Sequence, residues 1–127
     1  VSNCVIVNNT GRSKGGGLAL EDFSHPLIQN TLLTSNRATS AAGFLAMDSA
    51  SPIFSNCTFE DNTALSTGGA GLSSDFTNVF FTSCSFLRNT AKFSSGGALA
   101  LSGFSNATLL DSNFHVGDSL SLRTTSE

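Results

Sequence analysis

The chain has 127 residues, the length of one ordinary domain, and its net charge of −3 argues against the basic surface of a nucleic-acid-binding protein. Disordered chains are rich in charged residues and poor in aromatic ones, whereas only 12% of these residues are charged and eleven are Phe, so disorder is not expected. No apolar run approaches the ~20 residues that a membrane-spanning helix needs. The N-terminus does not begin with a basic segment followed by an apolar stretch, so a signal peptide is not expected.

The same pattern of residues recurs along the chain at intervals of 26 to 28 residues. The clearest pair begins at Cys57 with the letters CTFEDNTA and at Cys84 with CSFLRNTA. The repeats start at Cys4, Thr31, Cys57, Cys84 and Ser112. Because apolar, Asn and Gly positions recur together, the sequence predicts a solenoid of four full repeats and a partial fifth.

Within each repeat, short apolar stretches alternate with turn residues. They cover residues 57–59, 70–72 and 79–81 in the third repeat, and 84–86, 98–101 and 108–110 in the fourth. Such short stretches between Gly, Ser, Asn or Asp are typical of strands. Three strands in each ~27-residue coil predict an all-β parallel β-helix of about five coils. The hexapeptide repeat of left-handed β-helices is absent, so the right-handed form is favoured.

Alternation along the first strand of each coil assigns two columns of stacked side chains. Residues at the Phe59 position point into the core. This column contains Ile6, Leu33, Phe59, Phe86 and Phe114. Three residues later an Asn recurs at a bend, in the column Asn9, Asn36, Asn62 and Asn89. Stacked amides hydrogen-bond to the coils above and below, so we interpret the Asn column as a structural ladder and not as a catalytic feature.

A family resemblance is carried by the letters FEDN from Phe59 and FLRN from Phe86, together with GGAG from Gly68 and GGAL from Gly96. These segments resemble the FxxN and GGA(I/L/V) repeats of chlamydial polymorphic outer membrane proteins, and similar repeats occur in surface β-helices of the pectin-lyase-like type. The resemblance covers residues 4–117. It implies an adhesive or structural domain at a cell surface.

Three cysteines, Cys4, Cys57 and Cys84, share one inward column. No CxxC or HxxxH spacing predicts a zinc site. Cys57 and Cys84 lie on neighbouring coils, close enough for a disulfide by distance, although parallel side chains point the same way. We therefore favour buried free thiols.

Three N-glycosylation sequons begin at Asn8, Asn56 and Asn106. Each Asn precedes or follows a predicted strand, so all three side chains are expected to face solvent on different sides of the solenoid. In a eukaryotic source, we expect at least two of them to carry a glycan.

Acidic residues form a column after the second strand of each coil. Asp22, Asp48 and Asp75 are spaced by 26 and 27 residues, which favours turn capping by exposed carboxylates. Calcium binding by the stacked carboxylates is the alternative. Phe23, Phe76 and Phe104 follow in the next column and are expected to pack between coils. An ion pair between Asp61 and Arg88 is expected on the surface.

The sequence does not predict a catalytic site or a cofactor. Enzymes that cleave polysaccharides need clustered carboxylates, or a calcium ion with a basic residue that abstracts a proton. Here His25 and His115 lie three to four coils apart with no acidic cluster beside either of them. No phosphate-binding loop, Ser-His-Asp or metal-protease pattern occurs.

Two functions remain open at this point. The first is an extracellular or cell-surface structural or adhesive module that carries covalent N-glycans. The alternative is a carbohydrate-active or carbohydrate-binding β-helix whose site lies on coils outside this sequence. An acidic column with adjacent aromatic residues, such as Asp75 and Phe76, would suit a sugar ligand.

The two ends of the chain predict an axial contact. A β-helix exposes unpaired strand edges and apolar core at both ends, and the sequence starts in a strand at Val1. We expect residues 1–117 to form the coils and residues 118–127 to form a terminal strand or joint of the same domain. The chain is then expected either to form a homo-oligomer by head-to-tail stacking or to belong to a longer solenoid.

Overall fold

The chain winds into a stack of parallel strands in which each residue lies beside the residue 26 to 28 positions further on. The structure is a computed structural model, and it describes residues 1–94, 96–115 and 120–122. Its strand pairs match the repeats of the sequence: Ile6 pairs with Leu33, Leu33 with Phe59, and Phe59 with Phe86. The predicted all-β parallel β-helix is therefore confirmed, and the described residues form about four turns, slightly fewer than the five coils expected.

Two of the sheets contain one strand from every coil. Sheet 1 consists of β1 (Val5–Val7), β4 (Leu32–Thr34), β8 (Thr58–Glu60), β12 (Ser85–Leu87) and β16 (Asn113–Phe114). Sheet 3 consists of β2 (Leu18–Leu20), β6 (Phe44–Ala46), β10 (Gly71–Ser73), β14 (Leu99–Leu101) and β17 (Leu120–Leu122). Of the segment 118–127, only β17 lies within the described residues, and it pairs with β14.

The other two sheets lie between these in the path of each coil. Sheet 2 consists of β5 (Arg37–Ala38), β9 (Thr63–Ala64) and β13 (Thr90–Ala91). Sheet 4 consists of β3 (Leu27–Gln29), β7 (Ile53–Ser55), β11 (Asn78–Thr82) and β15 (Asn106–Leu110). The prediction of three strands per coil was wrong, because the complete middle coils contain four. Sheet 2 was missed since its strands are two residues long, too short for a recognisable apolar alternation.

The core is a set of Phe rings contributed by three sheets. Phe44 lies 4.9 Å from Phe54 and 5.6 Å from Phe59 between ring centroids, and Phe59 stacks on Phe86 at 4.9 Å. The Phe44 ring lies over Gly71 in the next coil, where a Cβ atom would overlap it. Gly71 therefore makes room for the large ring beside it, which explains a glycine in a strand position.

The inward column of sheet 1 forms as the sequence predicts. Leu33, Phe59 and Phe86 are fully buried, whereas Phe114 in the partial coil is 39% exposed. Cys57 and Cys84 are buried, but Cys4, although it occupies the same column, is exposed, so the expectation of a buried thiol was wrong for Cys4. Cys4 lies in the first coil, where among the described residues a neighbouring coil covers it on one side only.

Each coil turns through residues of left-handed backbone conformation at fixed positions. Among the described residues, seventeen non-glycine residues and four glycines have positive φ. They fall into repeating columns, such as Asp22, Asp48, Asp75 and Gly103. Bulky residues occupy some of these positions, including Phe76 with φ of 65° and Arg88 with φ of 51°. Left-handed backbone is unfavourable for such side chains, so the stacked coils hold these turns in place.

The part of the chain that the structure describes contains no helix long and apolar enough to cross a membrane.

Candidate functional site

The Asn column at the bend after sheet 1 forms a continuous chain of amide hydrogen bonds. Asn9 donates from Nδ2 to Oδ1 of Asn36 at 3.1 Å, Asn36 to Asn62 at 3.0 Å, and Asn62 to Asn89 at 2.9 Å. Each of these oxygens also accepts the backbone N–H of the preceding coil's Asn. Asn36, Asn62 and Asn89 are completely buried. Their polar groups are engaged in holding coils together and are closed to a ligand.

The three sequon asparagines are all exposed. Asn56 belongs to a second, outer amide column, in which its Nδ2 donates to Asn30 at 2.9 Å. Asn106 donates in the same way to Asn78 at 3.2 Å. An amide nitrogen keeps one N–H after glycosylation, so a glycan at either position is compatible with the column. Asn8 is exposed in a left-handed turn.

The acidic column lies in the turn between sheets 3 and 4. The N–H of Phe23 donates to the carbonyl oxygen of Asp48, and that of Ser49 to Asp75, which places the three carboxylates on successive coils. Asp75 accepts a hydrogen bond at 3.0 Å from the Ser74 hydroxyl. Among the described residues, no three His, Cys, Asp or Glu side chains come together as a metal site. His25 and His115 are likewise not brought together.

The aromatic residues that follow this column are exposed, and the expectation that they pack between coils holds only for the contact between Phe76 and Phe104. Phe23 is 72% exposed, Phe76 63% and Phe104 56%. Phe76 and Phe104 stack on each other with ring centroids 5.5 Å apart and planes at 14°. The reason is the backbone: both residues of the turn have positive φ, which directs the second side chain away from the core.

A further apolar column lies on the outward side of sheet 4, four residues after the aromatic column of the turn. Its members Leu27, Ile53 and Phe80 are each almost half exposed and stack in register. Together with Phe23, Phe76 and Phe104 they form a surface that we call the apolar face. Large exposed apolar patches mark interaction sites on soluble proteins. The outward direction of Leu27, Ile53 and Phe80 could have been predicted from the alternation of side chains along a strand. No such alternation applies to the aromatic residues in the turn.

The two buried cysteines interact with each other. The neighbouring Cys57 thiol and burial raise the pKa of Cys84. Both thiols also point at backbone carbonyl oxygens 3.4 Å away, Cys57 at Ile28 and Cys84 at Phe54. They are free thiols in the core.

The expected surface ion pair forms between neighbouring coils. The Arg88 guanidinium donates two hydrogen bonds to the Asp61 carboxylate, at 2.8 and 2.9 Å, and a third to Glu60. The hydrogen bond from Arg88 holds the pKa of Asp61 below its usual value. One cation here faces two carboxylates, so the cluster keeps a net negative charge.

A concave surface that no repeated pattern of residues predicts lies along sheet 2 and the turns that flank it. Two adjoining hollows of about 390 and 530 Å³ share Thr10 and Arg37 in their lining. The first is also lined by Arg12 and Lys92. We call this surface the sheet 2 groove.

With this geometry established, comparison with known proteins gives one result. Residues 1–124 match the family model described as "Right handed beta helix region". The chain belongs to the right-handed β-helix family. This match also settles the handedness that the sequence favoured. No characterised protein and no solved structure matches the chain.

Proposed function

We propose that this β-helix is a structural or adhesive module that works outside the cell or at its surface, without catalysis and without a cofactor. The observation that carries the proposal is the apolar face. Its exposed Phe76 and Phe104 contribute nothing to the buried core, and they stand on turns whose left-handed backbone is costly for Phe. Exposed aromatic residues on a rigid support are suited to binding a partner. The resemblance to chlamydial surface repeats supports an adhesive role.

A bead-binding experiment tests the adhesive role. Beads coated with the chain are added to surfaces bearing immobilised neutral and acidic glycans or an extracellular-matrix protein extract, and retained beads are counted under flow. We expect retention by the parent chain and its loss in the double variant Phe76→Ala and Phe104→Ala. Phe93→Ala is the matched control, since Phe93 is 83% exposed but lies outside the apolar face. Equal retention of all three proteins would contradict the proposal.

A second function, carbohydrate binding or cleavage, is favoured by the stacked rings of Phe76 and Phe104 beside the Asp75 carboxylate. Flat aromatic pairs with adjacent hydrogen-bonding groups fit the apolar and polar sides of a sugar ring. Incubation with pectin, alginate and other acidic glycans, followed by assays for reducing ends and unsaturated products, separates this function from the first. Turnover that is lost in Asp48→Asn and Asp75→Asn would overturn the non-catalytic proposal.

The proposal includes axial pairing of coils. Strand β1 is hydrogen-bonded to β4 on one side, and no described strand lies on its other side. A further strand can pair there, from a second copy or from additional coils of a longer solenoid. Sedimentation of the 127-residue chain tests this. Concentration-dependent association that is reduced by deletion of residues 118–127 is expected, and a soluble monomer across the micromolar range would oppose self-assembly.

N-glycosylation is the last part of the proposal. The exposure of Asn8, Asn56 and Asn106 supports it. To test this, the chain is produced as a secreted protein in eukaryotic cells, and its glycans are removed enzymatically in heavy-oxygen water. Each occupied Asn then becomes a labelled Asp in the mass spectrum. At least two labelled sites are expected. Substitution of Thr10, Thr58 and Thr108 by Ala removes the sequons, and these changes should leave axial association intact.

A further inference from the structure

The sheet 2 groove collects most of the positive charge that has no ion-pair partner among the described residues. Arg12 lies in the first coil, Arg37 in the second and Lys92 in the fourth, and all three line one hollow. All three side chains are exposed. Among the described residues, Arg88 forms ion pairs, whereas Arg12, Arg37 and Lys92 form none. Three cations of a net negative chain therefore point into one groove with no acidic partner.

Most of the acidic residues that the structure describes do not line the groove. Asp22, Asp48 and Asp75 lie in the turn between sheets 3 and 4, not among the residues that line either hollow. Asp61 is the one carboxylate in the lining, at the end of the second hollow. It is engaged by two hydrogen bonds from Arg88. An anionic ligand in the groove therefore meets a positive field with one screened negative group at its edge.

Hydroxyl donors accompany the cations. Thr10, Arg37 and Thr63 lie in register on three successive coils, so Arg37 has a threonine above and below it. Thr39 lies two residues further along, and its hydroxyl donates to the carbonyl oxygen of Arg12 at 2.9 Å. A guanidinium fork takes two oxygens of an oxyanion. The flanking Thr10 and Thr63 hydroxyls suit a third oxygen, which a sulfate or phosphate ester has and a carboxylate lacks.

The cations follow the axis of the solenoid. Coils are spaced by ~4.8 Å, so Arg12 and Arg37 are about one spacing apart, and Lys92 is roughly 14 Å from Arg12 along the axis. A linear chain lying in the groove presents successive anions to these groups. The lining of the two hollows contains no aromatic side chain on which nucleic-acid bases would stack.

We propose that the sheet 2 groove binds the sulfate esters of a linear polysaccharide that lies parallel to the axis of the β-helix. Arg37 and its flanking threonines hold one sulfate, Arg12 contributes to the same cluster, and Lys92 binds a second anionic group further along the chain. The choice of a polysaccharide rests on the proposed extracellular location. The groove is separate from the apolar face, so the two binding activities are independent.

Binding is measured with chain produced in bacteria, because Asn8 lines the second hollow and a glycan there would cover it. Immobilised heparin is the sulfated probe, polygalacturonate the carboxylate probe and a single-stranded thymidine oligonucleotide the nucleic-acid probe. We expect binding to heparin that weakens as salt increases. The triple variant Arg12→Gln, Arg37→Gln and Lys92→Gln should abolish it.

Single substitutions separate a built site from general charge. Arg37→Gln is expected to weaken heparin binding about tenfold or more, and Arg37→Lys severalfold, because it keeps the charge but loses the fork. Lys14→Gln is the matched control, since Lys14 is exposed but lines neither hollow. Equal effects of Lys14→Gln and Arg37→Gln, or equally tight binding of the oligonucleotide or of polygalacturonate, would overturn the proposal.

The double variant Phe76→Ala and Phe104→Ala keeps this test distinct from that of the proposed function. It should bind heparin as the parent chain does. If heparin binding is absent from a folded parent chain while bead adhesion persists, the groove proposal fails and the adhesive proposal stands.

Discussion

Two corners of the coil carry stacked side chains, and they use them in opposite ways. At the bend after sheet 1, the amides of Asn36, Asn62 and Asn89 are buried and bonded to one another. At the turn between sheets 3 and 4, Asp75 precedes an exposed Phe76 that touches only the Phe104 ring above it among the described aromatic residues. The first column holds neighbouring coils together, whereas the aromatic side chains of the second column are exposed on the surface.

The difference shows how a solenoid separates stability from function. An interior column must recur in every complete coil, because one gap leaves buried polar groups without partners. An exterior column tolerates gaps, and the aromatic one has a serine, Ser49, in the second coil. Regular recurrence therefore indicates a structural role in this fold, and interrupted recurrence at an exposed position indicates a surface that is free to bind.

The largest effect is expected from breaking the inner column. Asn62→Ala removes an oxygen that accepts two hydrogen bonds from Asn36 and an amide that donates to Leu33 and Asn89. We expect a loss of about 3 kcal/mol or more in the free energy of unfolding, measured by urea denaturation. Asn56→Gly is the control from the outer, exposed column, where the loss should stay below about 1 kcal/mol. Similar losses in both variants would contradict the comparison.

The strain of the aromatic turn is measured by a pair of variants at Phe76. Both Phe76→Ala and Phe76→Gly remove the ring stacking with Phe104, so the difference between them reports on the backbone. At φ of 65° glycine is favoured, and the Gly variant should be more stable than the Ala variant by about 1 kcal/mol. At an ordinary strand position the order is the reverse. Urea denaturation of both proteins decides the sign.

A smaller gain is expected from a buried hydroxyl near the same turn. Thr77 is completely buried, and its Oγ1 has no hydrogen-bond partner among the described residues. Replacing Thr77 by Val keeps the shape and removes an unsatisfied polar group, which should stabilise the protein by up to about 1 kcal/mol. A thermal melt measures the gain. A loss of stability in Thr77→Val would show that the hydroxyl is satisfied in solution.

The sequence was sufficient to predict the parts of the fold that every coil repeats. The period, the inward column around Phe59 and the Asn ladder positions all follow from recurrence, because stacked coils place equivalent residues beside each other. Sheet 2 was missed because Thr63–Ala64 and its neighbours are too short to alternate. Gly71 was predicted as strand, but its reason, the space required by the Phe44 ring in the neighbouring coil, is visible only in the packing.

The surfaces were harder to predict than the core. Phe76 was expected to pack between coils, and it does stack on Phe104. Its exposure was not predicted, because no local signal shows that two successive residues of its turn have left-handed backbone. The groove was missed for another reason. Arg12, Arg37 and Lys92 do not occupy one repeated position, so recurrence does not reveal them, and only the winding of the chain brings them to one hollow.

The smallest expected effect concerns the Asp61 and Arg88 pair, which joins two coils on the exposed surface. Arg88 lowers the pKa of Asp61 below its usual 3.8, so the pair stabilises the folded state above that pH and loses its effect as the pH falls from about 4 downward. Both side chains are largely exposed, which keeps the contribution small. In Arg88→Gln, the decrease in melting temperature between pH 5 and pH 3 should be smaller than in the parent chain by less than about 2 °C. Arg37→Gln removes a cation that has no ion pair among the described residues, and it should leave the pH dependence of the melting temperature unchanged in this range. A larger change in Arg37→Gln than in Arg88→Gln would mean that general charge, and not the ion pair between coils, sets the response to acid.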